Sequence, residues 1–284
     1  MKQSVILILR KGREMQKATL ISALAMGSAM VATSQVHADV NITFDDPVVT
    51  SSNQAPGVWY TDRAAPAGFE VVQFNGENVL KQSIGAGDAD ANGFRNTQGR
   101  KYDLTPGTFS VSIDLYVPDD WASTDRRMAG FWGTMFDNSG DVASYPIIEF
   151  NSGTAGYEST TDDPTNAGSP SPRFRVWDSQ SGWADMGLPT GFAYDTWHTL
   201  EMTLAGGQII YTVGDLEVAV TAGDADYFGN IILQGYNTHA DFSSGVSYDI
   251  YWDNFSSVVP EPASLALLGM GGLALVLRRR RANA

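Results

Sequence analysis

From Phe109 to Val117 every second residue is apolar: Phe109, Val111, Ile113, Leu115 and Val117 alternate with Ser110, Ser112, Asp114 and Tyr116. A period of two puts the first set on one side of an extended chain and the second on the other, the pattern of a half-buried strand rather than a helix. Similar strand signals are read at 40–44, 69–74, 78–84, 128–136, 145–150, 173–177, 197–204, 208–213, 230–236 and 248–258. Turn sequences such as Ala205-Gly206-Gly207 and Val213-Gly214-Asp215 separate them. No helical period interrupts the run between residues 39 and 259. That stretch is expected to be all-β, one two-sheet antiparallel sandwich of ten or more strands.

The two ends follow different rules. Arg10, Lys11, Arg13 and Lys17 precede an apolar stretch at 18–31, and Val36-His37-Ala38 supplies small residues at the exit. This is the layout of a secretory signal peptide over 1–38, cleaved before Asp39, with Met15 as an alternative start. At the other end, 15 apolar or small residues at 263–277 stand between Pro260-Glu261-Pro262 and Arg278, Arg279, Arg280 and Arg281. As a helix they extend about 22 Å, less than the roughly 30 Å hydrocarbon core. The arginines set that end in the cytoplasm and the domain outside. A signal helix and a short transmembrane helix are thus expected to flank the sandwich.

Charge narrows the partners. With the two ends set aside, residues 39–259 hold nine basic and 30 acidic side chains, a net charge of −21. Such a surface repels phosphate backbones and excludes nucleic acid as a partner. It repels acidic polysaccharides unless a divalent cation bridges them. The chain has no cysteine, which removes disulfides, thiolate zinc sites and cysteine nucleophiles.

The tail residues carry a resemblance. Pro260-Glu261-Pro262, the apolar run and the terminal arginines resemble the PEP-CTERM sorting signal of Gram-negative, exopolysaccharide-producing bacteria. The resemblance implies that an exosortase, a membrane-embedded transpeptidase-like enzyme, cuts near residues 260–262, after transient anchoring in the inner membrane. The protein then reaches the cell surface or extracellular matrix. The order of landmarks in 39–259 also resembles the concanavalin A-like, laminin-G-like jelly roll: Phe44-Asp45-Asp46 early, then FRVWDSQSGWADMG from Phe174, YDTWHTLEMTL from Tyr194 and YDIYWDNFSSV from Tyr248. That fold hosts lectin-like modules, glycosidases, lyases and structural domains, so it names no activity.

Two calcium sites are candidates. Asp88, Asp90 and Asn92, with Gly93 behind them, place oxygen ligands at alternate positions, as in the first half of an EF-hand loop, although Gly99 stands where its last acid belongs. The laminin-G-like resemblance implies a second, joining Asp45 or Asp46 to Asp253. For sugar binding, alternation sends Phe174 and Val176 to the core and leaves Arg173, Arg175 and Trp177 on the opposite face; Ile232, Gln234 and Tyr236 group in the same way. A stacking ring, guanidinium forks and an amide are the groups a glycan uses. Catalytic signals are thinner. Glycosidases of the resembled fold carry a Glu-x-Asp-x-x-Glu strand, and here Glu149 stands without its partner. His198 alternates with Leu200 and Met202 and reads as a core histidine, and His239 as a solvated one. The expected protein is an exported surface or matrix protein whose sandwich binds extracellular polysaccharide without chemistry of its own. A polysaccharide-degrading lyase or glycosidase is the alternative, and a passive coat protein the third reading.

Overall fold

A computed structural model describes residues 38–85, 97–122, 127–152, 172–236 and 247–259. The first nine strands are β1 (Ala38–Ile42), β2 (Thr50–Ser51), β3 (Trp59–Asp62), β4 (Gly68–Phe74), β5 (Glu77–Ile84), β6 (Thr97–Thr108), β7 (Ser110–Val117), β8 (Met128–Phe136) and β9 (Val142–Ser144). Eight more follow: β10 (Ile147–Asn151), β11 (Arg173–Asp178), β12 (Gly182–Gly187), β13 (Thr196–Ala205), β14 (Gln208–Val213), β15 (Leu216–Thr221), β16 (Tyr227–Tyr236) and β17 (Tyr248–Val258). A 3-10 turn at Asp119–Ala122 is the one helical piece among the described residues.

The strands form two sheets. Sheet A runs β15-β14-β13-β7-β17-β5-β4, with β1 also on β17; sheet B runs β12-β11-β10-β8-β16-β6-β3-β2, with β9 on β8. Every pairing is antiparallel except the short β2–β3 contact. This is the expected two-sheet sandwich. The flanking helices, the tail arginines and the 263–277 span lie outside the described residues. Among those residues, no helix is long and apolar enough to cross a membrane.

The alternation read in the sequence decides which side of each sheet is dry. On β7, Val111, Ile113, Leu115 and Val117 are buried in the core. Opposite them stand Phe131 on β8, Phe150 on β10, Phe174 and Val176 on β11, and Ile231 and Leu233 on β16, all equally buried. Polar side chains also cross this layer: the hydroxyls of Tyr211 and Tyr248 in sheet A donate to the carbonyls of Trp177 and Met128 in sheet B, at 3.0 and 2.8 Å. Gln82 of sheet A is fully buried and donates from Nε2 to the carbonyls of Gln98 and Leu233 in sheet B, at 3.1 and 3.3 Å. Its Oε1 accepts the indole N–H of Trp252 at 3.0 Å.

Local chemistry sets the boundaries. Asn75 and Gly76 join β4 to β5 with φ of 53° and 94°, the left-handed pair that a two-residue hairpin turn requires. The strand read at 145–150 starts instead at Ile147, because Pro146 has no N–H to give a ladder; its carbonyl accepts from Gly133 at 2.8 Å. The strands β3, β6, β12 and β15 were not separately legible. β6, with the sequence TQGRKYDLTPGT, shows little apolar alternation because its outward residues are glycine, lysine and aspartate.

Candidate functional site: the outer face of sheet B

The registers of sheet B align side chains from strands far apart in sequence. Arg175 on β11 lies opposite Asp185 on β12 and Glu149 on β10. Glu149 and Gln234 both lie opposite Gly130 on β8, while Gln234 and Asp62 both lie opposite Gly99 on β6. One row therefore reads Asp185, Arg175, Glu149, Gly130, Gln234, Gly99, Asp62 across seven strands. Two residues along each strand lies a second row: Trp183, Trp177, Ile147, Trp132, Ile232, Lys101, Tyr60. Both rows stand on the face turned away from the core, because Val176, Ile148, Phe131 and Leu233 point inward between them.

The polar row is tied together by charge. Arg175 Nε donates to Glu149 Oε1 at 2.6 Å, with both residues almost wholly buried. The Arg175 guanidinium also lies over the Trp183 ring, 3.9 Å from its centroid. Arg173 Nε donates to Asp185 Oδ1 at 2.7 Å. At the far end Asp62 takes Arg63 Nη1 at 2.5 Å, Lys101 Nζ at 3.2 Å and Gln234 Nε2 at 3.1 Å. Tyr60 donates its hydroxyl to Asp103 Oδ1 at 2.7 Å. Burial first, then this carboxylate, pushes the phenol well above its usual range.

The two glycines in the row are spaces that other side chains use. A Cβ at Gly99 would meet Gln234 Cγ at 2.5 Å and the Leu233 carbonyl at 2.6 Å, so Gln234 reaches Asp62 by lying across Gly99. A Cβ at Gly130 would meet Trp132 Nε1 at 2.6 Å and Glu149 Oε2 at 3.4 Å. Because Gln234 must present its nitrogen to a carboxylate, its oxygen is the free end. That Oε1 is buried and has no partner among the described residues, and the same holds for Asn230 Oδ1 and Thr134 Oγ1, whose residues lie opposite each other on this sheet. All three atoms accept hydrogen bonds.

The second row is aromatic. Trp132, Ile147 and Ile232 form a buried apolar cluster of their own, apart from the main core, and the half-buried Trp177 and Trp183 pack against it. The row crosses the strands, so successive rings are spaced by multiples of about 4.8 Å.

Of the residues expected to touch a glycan, Arg173, Arg175, Trp177 and Gln234 share this face. Tyr236 ends β16 opposite Thr97, and its side chain lies outside the described residues. Asp88, Asp90, Asn92 and His239 lie outside them as well. The other calcium candidates stand by sheet A: Asp45 and Asp46 are exposed after β1, and Asp253 is buried on β17. Burial raises the pKa of Asp253, and the nearby charges of Asp114, Glu77 and Asp45 raise it further against the Asn254 N–H, which lowers it. The excess negative charge suits a divalent cation, yet among the described residues no three acidic or histidine side chains converge as metal ligands. His198 sits at the margin of the core as expected, its ring stacked on Phe192 at 4.9 Å and its Nε2 3.2 Å from the Ala193 carbonyl. Burial lowers its pKa.

Sequence reasoning missed Asp62, Lys101, Trp132, Trp183 and Asp185. The Trp177–Trp183 hairpin pair carried a local signal; the rest depend on registers between distant strands.

The face is thus an open-edged antiparallel sheet bearing a charged row beside a tryptophan row, in a protein of the β-sandwich class. Residues 258–281 match the PEP-CTERM protein-sorting motif family, which implies export, membrane-anchored sorting and processing by an exosortase. No curated protein matches the chain. Solved structures that match include a Bacillus licheniformis β-glucanase, with 13% identity over 80% of this chain and 100% of that one, at a TM-score of 0.46. Another belongs to a set of endo-acting O-glycanases of the human gut microbiota, with 14% identity over 79% and 100% of the two chains and a TM-score of 0.49. A third is an alginate lyase mutant in complex with alginate tetrasaccharide, with 12% identity over 78% and 97% and a TM-score of 0.44.

Proposed function

We propose that the sandwich is a glycan-binding module of the cell surface or extracellular matrix, with the outer face of sheet B as its binding face and no chemistry of its own. The observation that carries this reading is the pair of parallel rows. The half-buried rings of Trp177 and Trp183, adjacent across β11 and β12 beside the exposed Asp185 carboxylate, suit stacking against a polysaccharide, while Arg175, Glu149 and Gln234 are buried and brace that platform rather than touch the polymer. The charged groups are already matched: Arg175 with Glu149, Arg173 with Asp185, and Arg63 and Lys101 with Asp62. With these charges already paired, a neutral glycan suits the face better than one bearing carboxylates or sulfates. Calcium at the Asp253 corner, drawn by the surrounding acids, is proposed as a stabiliser away from this face.

A hydrolytic reading has one supporting observation. Glu149 and Asp185 are two strands apart, about 10 Å between backbones, near the separation of carboxyls in inverting glycosidases. Each is held by a guanidinium, which favours the binding reading.

The test incubates the secreted chain with a panel of neutral and acidic polysaccharides, and measures both bound protein and released oligosaccharide. Saturable binding without release, lost in Trp177→Ala, is expected. Release of oligosaccharide overturns the reading in favour of an enzyme, and absence of both leaves a passive coat protein.

A further inference from the structure

The strand that closes the sandwich runs into the sorting motif with no linker. β17 ends at Val258, the motif match begins at residue 258, and only Val259 stands between the strand and Pro260. With Ala38 expected to leave with the signal peptide, Val258 is held opposite Ser110 on β7, and Ser256 and Ser257 are held from both sides, opposite Asn41 and Val40 on β1 and Ser112 and Val111 on β7. The Val258 carbonyl accepts the N–H of Phe109 at 2.9 Å. Ser257 beside it is fully buried, and its Oγ accepts the N–H of Val40 at 3.2 Å. Val259 Cγ1 would be 3.8 Å from a Cβ at Gly107.

A peptidase that grips a chain in extended form replaces sheet hydrogen bonds with its own. Cleavage near residues 260–262 places residues 256–259 on the amino side of the broken bond, where such a grip falls. Ser256, Ser257 and Val258 already pair in the sandwich ladder, and a backbone group serves one ladder at a time. We infer that residues 256–259 are a docking segment for the membrane-embedded sorting peptidase, which engages them only after the end of β17 peels away from β1 and β7. The folded domain therefore sets the rate of its own processing. This inference rests on the sorting motif and is independent of the glycan reading.

Pulse-chase of the full chain, in a Gram-negative host that carries its own exosortase, measures the half-time for loss of the tail. Inserting about eight Gly/Ser residues between Val259 and Pro260, a reach of about 16 Å, gives the peptidase an extended segment while β17 stays folded. Cleavage of the insert is expected to be about tenfold faster, the factor given by 1.4 kcal/mol of avoided opening. In the opposite direction, Asn41→Cys with Ser256→Cys joins positions directly opposite on β1 and β17, within disulfide reach. In the oxidising periplasm this lock slows cleavage about tenfold, and reductant restores it, which a misfolded variant would not show. Equal half-times for wild type, insert and lock overturn the inference, as does an insert that is cut more slowly. Replacing Pro260, Glu261 and Pro262 by alanine separates the two failures. If that variant stays uncut while insert and wild type are cut alike, the sorting motif stands and the docking segment falls.

Discussion

The ion pair between Glu149 and Arg175 offers the sharpest energetic test of the outer face of sheet B. Both side chains are nearly inaccessible, at 1% and 3% exposure, and both Nε and Nη2 of the arginine lie 2.6 Å from Glu149 Oε1. Removing one partner leaves the other charge desolvated without compensation, which costs about 3–5 kcal/mol. Glu149→Leu should fall in that range. Arg175→Leu should match it, with about 1 kcal/mol more for the lost stacking on Trp183. The double leucine variant removes both charges and their desolvation, so it should lose only about 0–2 kcal/mol. The coupling energy is therefore about 5 kcal/mol or more, far from additive. Urea denaturation followed by circular dichroism reads these values. With a slope of about 2.5 kcal/mol/M for a domain of this size, Glu149→Leu moves the midpoint by about 1.2–2 M and Arg175→Leu by about 1.6–2.4 M, and the slope itself stays constant. Molar salt should leave the coupling nearly unchanged, because a buried pair is poorly screened. A loss under about 1 kcal/mol in Glu149→Leu, or additivity within about 0.5 kcal/mol, refutes the buried pairing and with it the reading of this row as preorganised.

Three further outcomes follow from particular contacts. Gly99→Ala sets a methyl against Gln234 and the Leu233 carbonyl, so overpacking should cost about 1–3 kcal/mol in urea and weaken polysaccharide binding; an unchanged midpoint shows that Gln234 does not lie across Gly99. Gln82→Leu orphans the buried Trp252 N–H and two inter-sheet carbonyl contacts and should cost about 2–4 kcal/mol, read in the same assay, whereas a neutral result removes the bridge from the core. Asp253 is held above the ordinary carboxylate pKa by burial and by its acidic neighbours, so the unfolded chain ionises first as pH rises and the folded state loses stability between the unfolded and folded values. Asp253→Asn should thus raise Tm at pH 7, a gain that vanishes at pH values below the unfolded pKa. Millimolar calcium should raise the Tm of the wild type and not that of the variant; equal shifts in both refute a cation at that corner.

The fold was legible where burial is one-sided. In β7 and β11 the alternation of Val111, Ile113 and Leu115, or of Phe174 and Val176, states which face is dry, and the outward set of Arg173, Arg175 and Trp177 follows by subtraction. It was illegible where the outward side has its own apolar cover. β8 carries Trp132 outward and Phe131 inward, both buried, so its sequence reads as a continuous apolar run with no face marked. The site was half legible for the same reason. Arg175 announces a face, but its partner Glu149 is 26 residues away and the partner of Gln234, Asp62, is 172 residues away. Those contacts are products of register, which local pattern does not encode.

Register also explains how so acidic a chain keeps one nearly neutral row on sheet B. Of the seven basic residues described between 38 and 259, Lys81 alone belongs to sheet A; Arg63, Arg100, Lys101, Arg127, Arg173 and Arg175 lie on or beside strands of sheet B. Glu149, Asp185 and Asp62 are placed among them, so the outer row is close to neutral while the domain as a whole carries −21. The surrounding field reaches only about 8 Å at physiological salt, yet a polyanion must cross it along its whole length, whereas a neutral chain crosses it without penalty. Under the proposed glycan reading, local neutrality within a strongly negative body is itself a selectivity device. In that reading it works before any hydrogen bond forms.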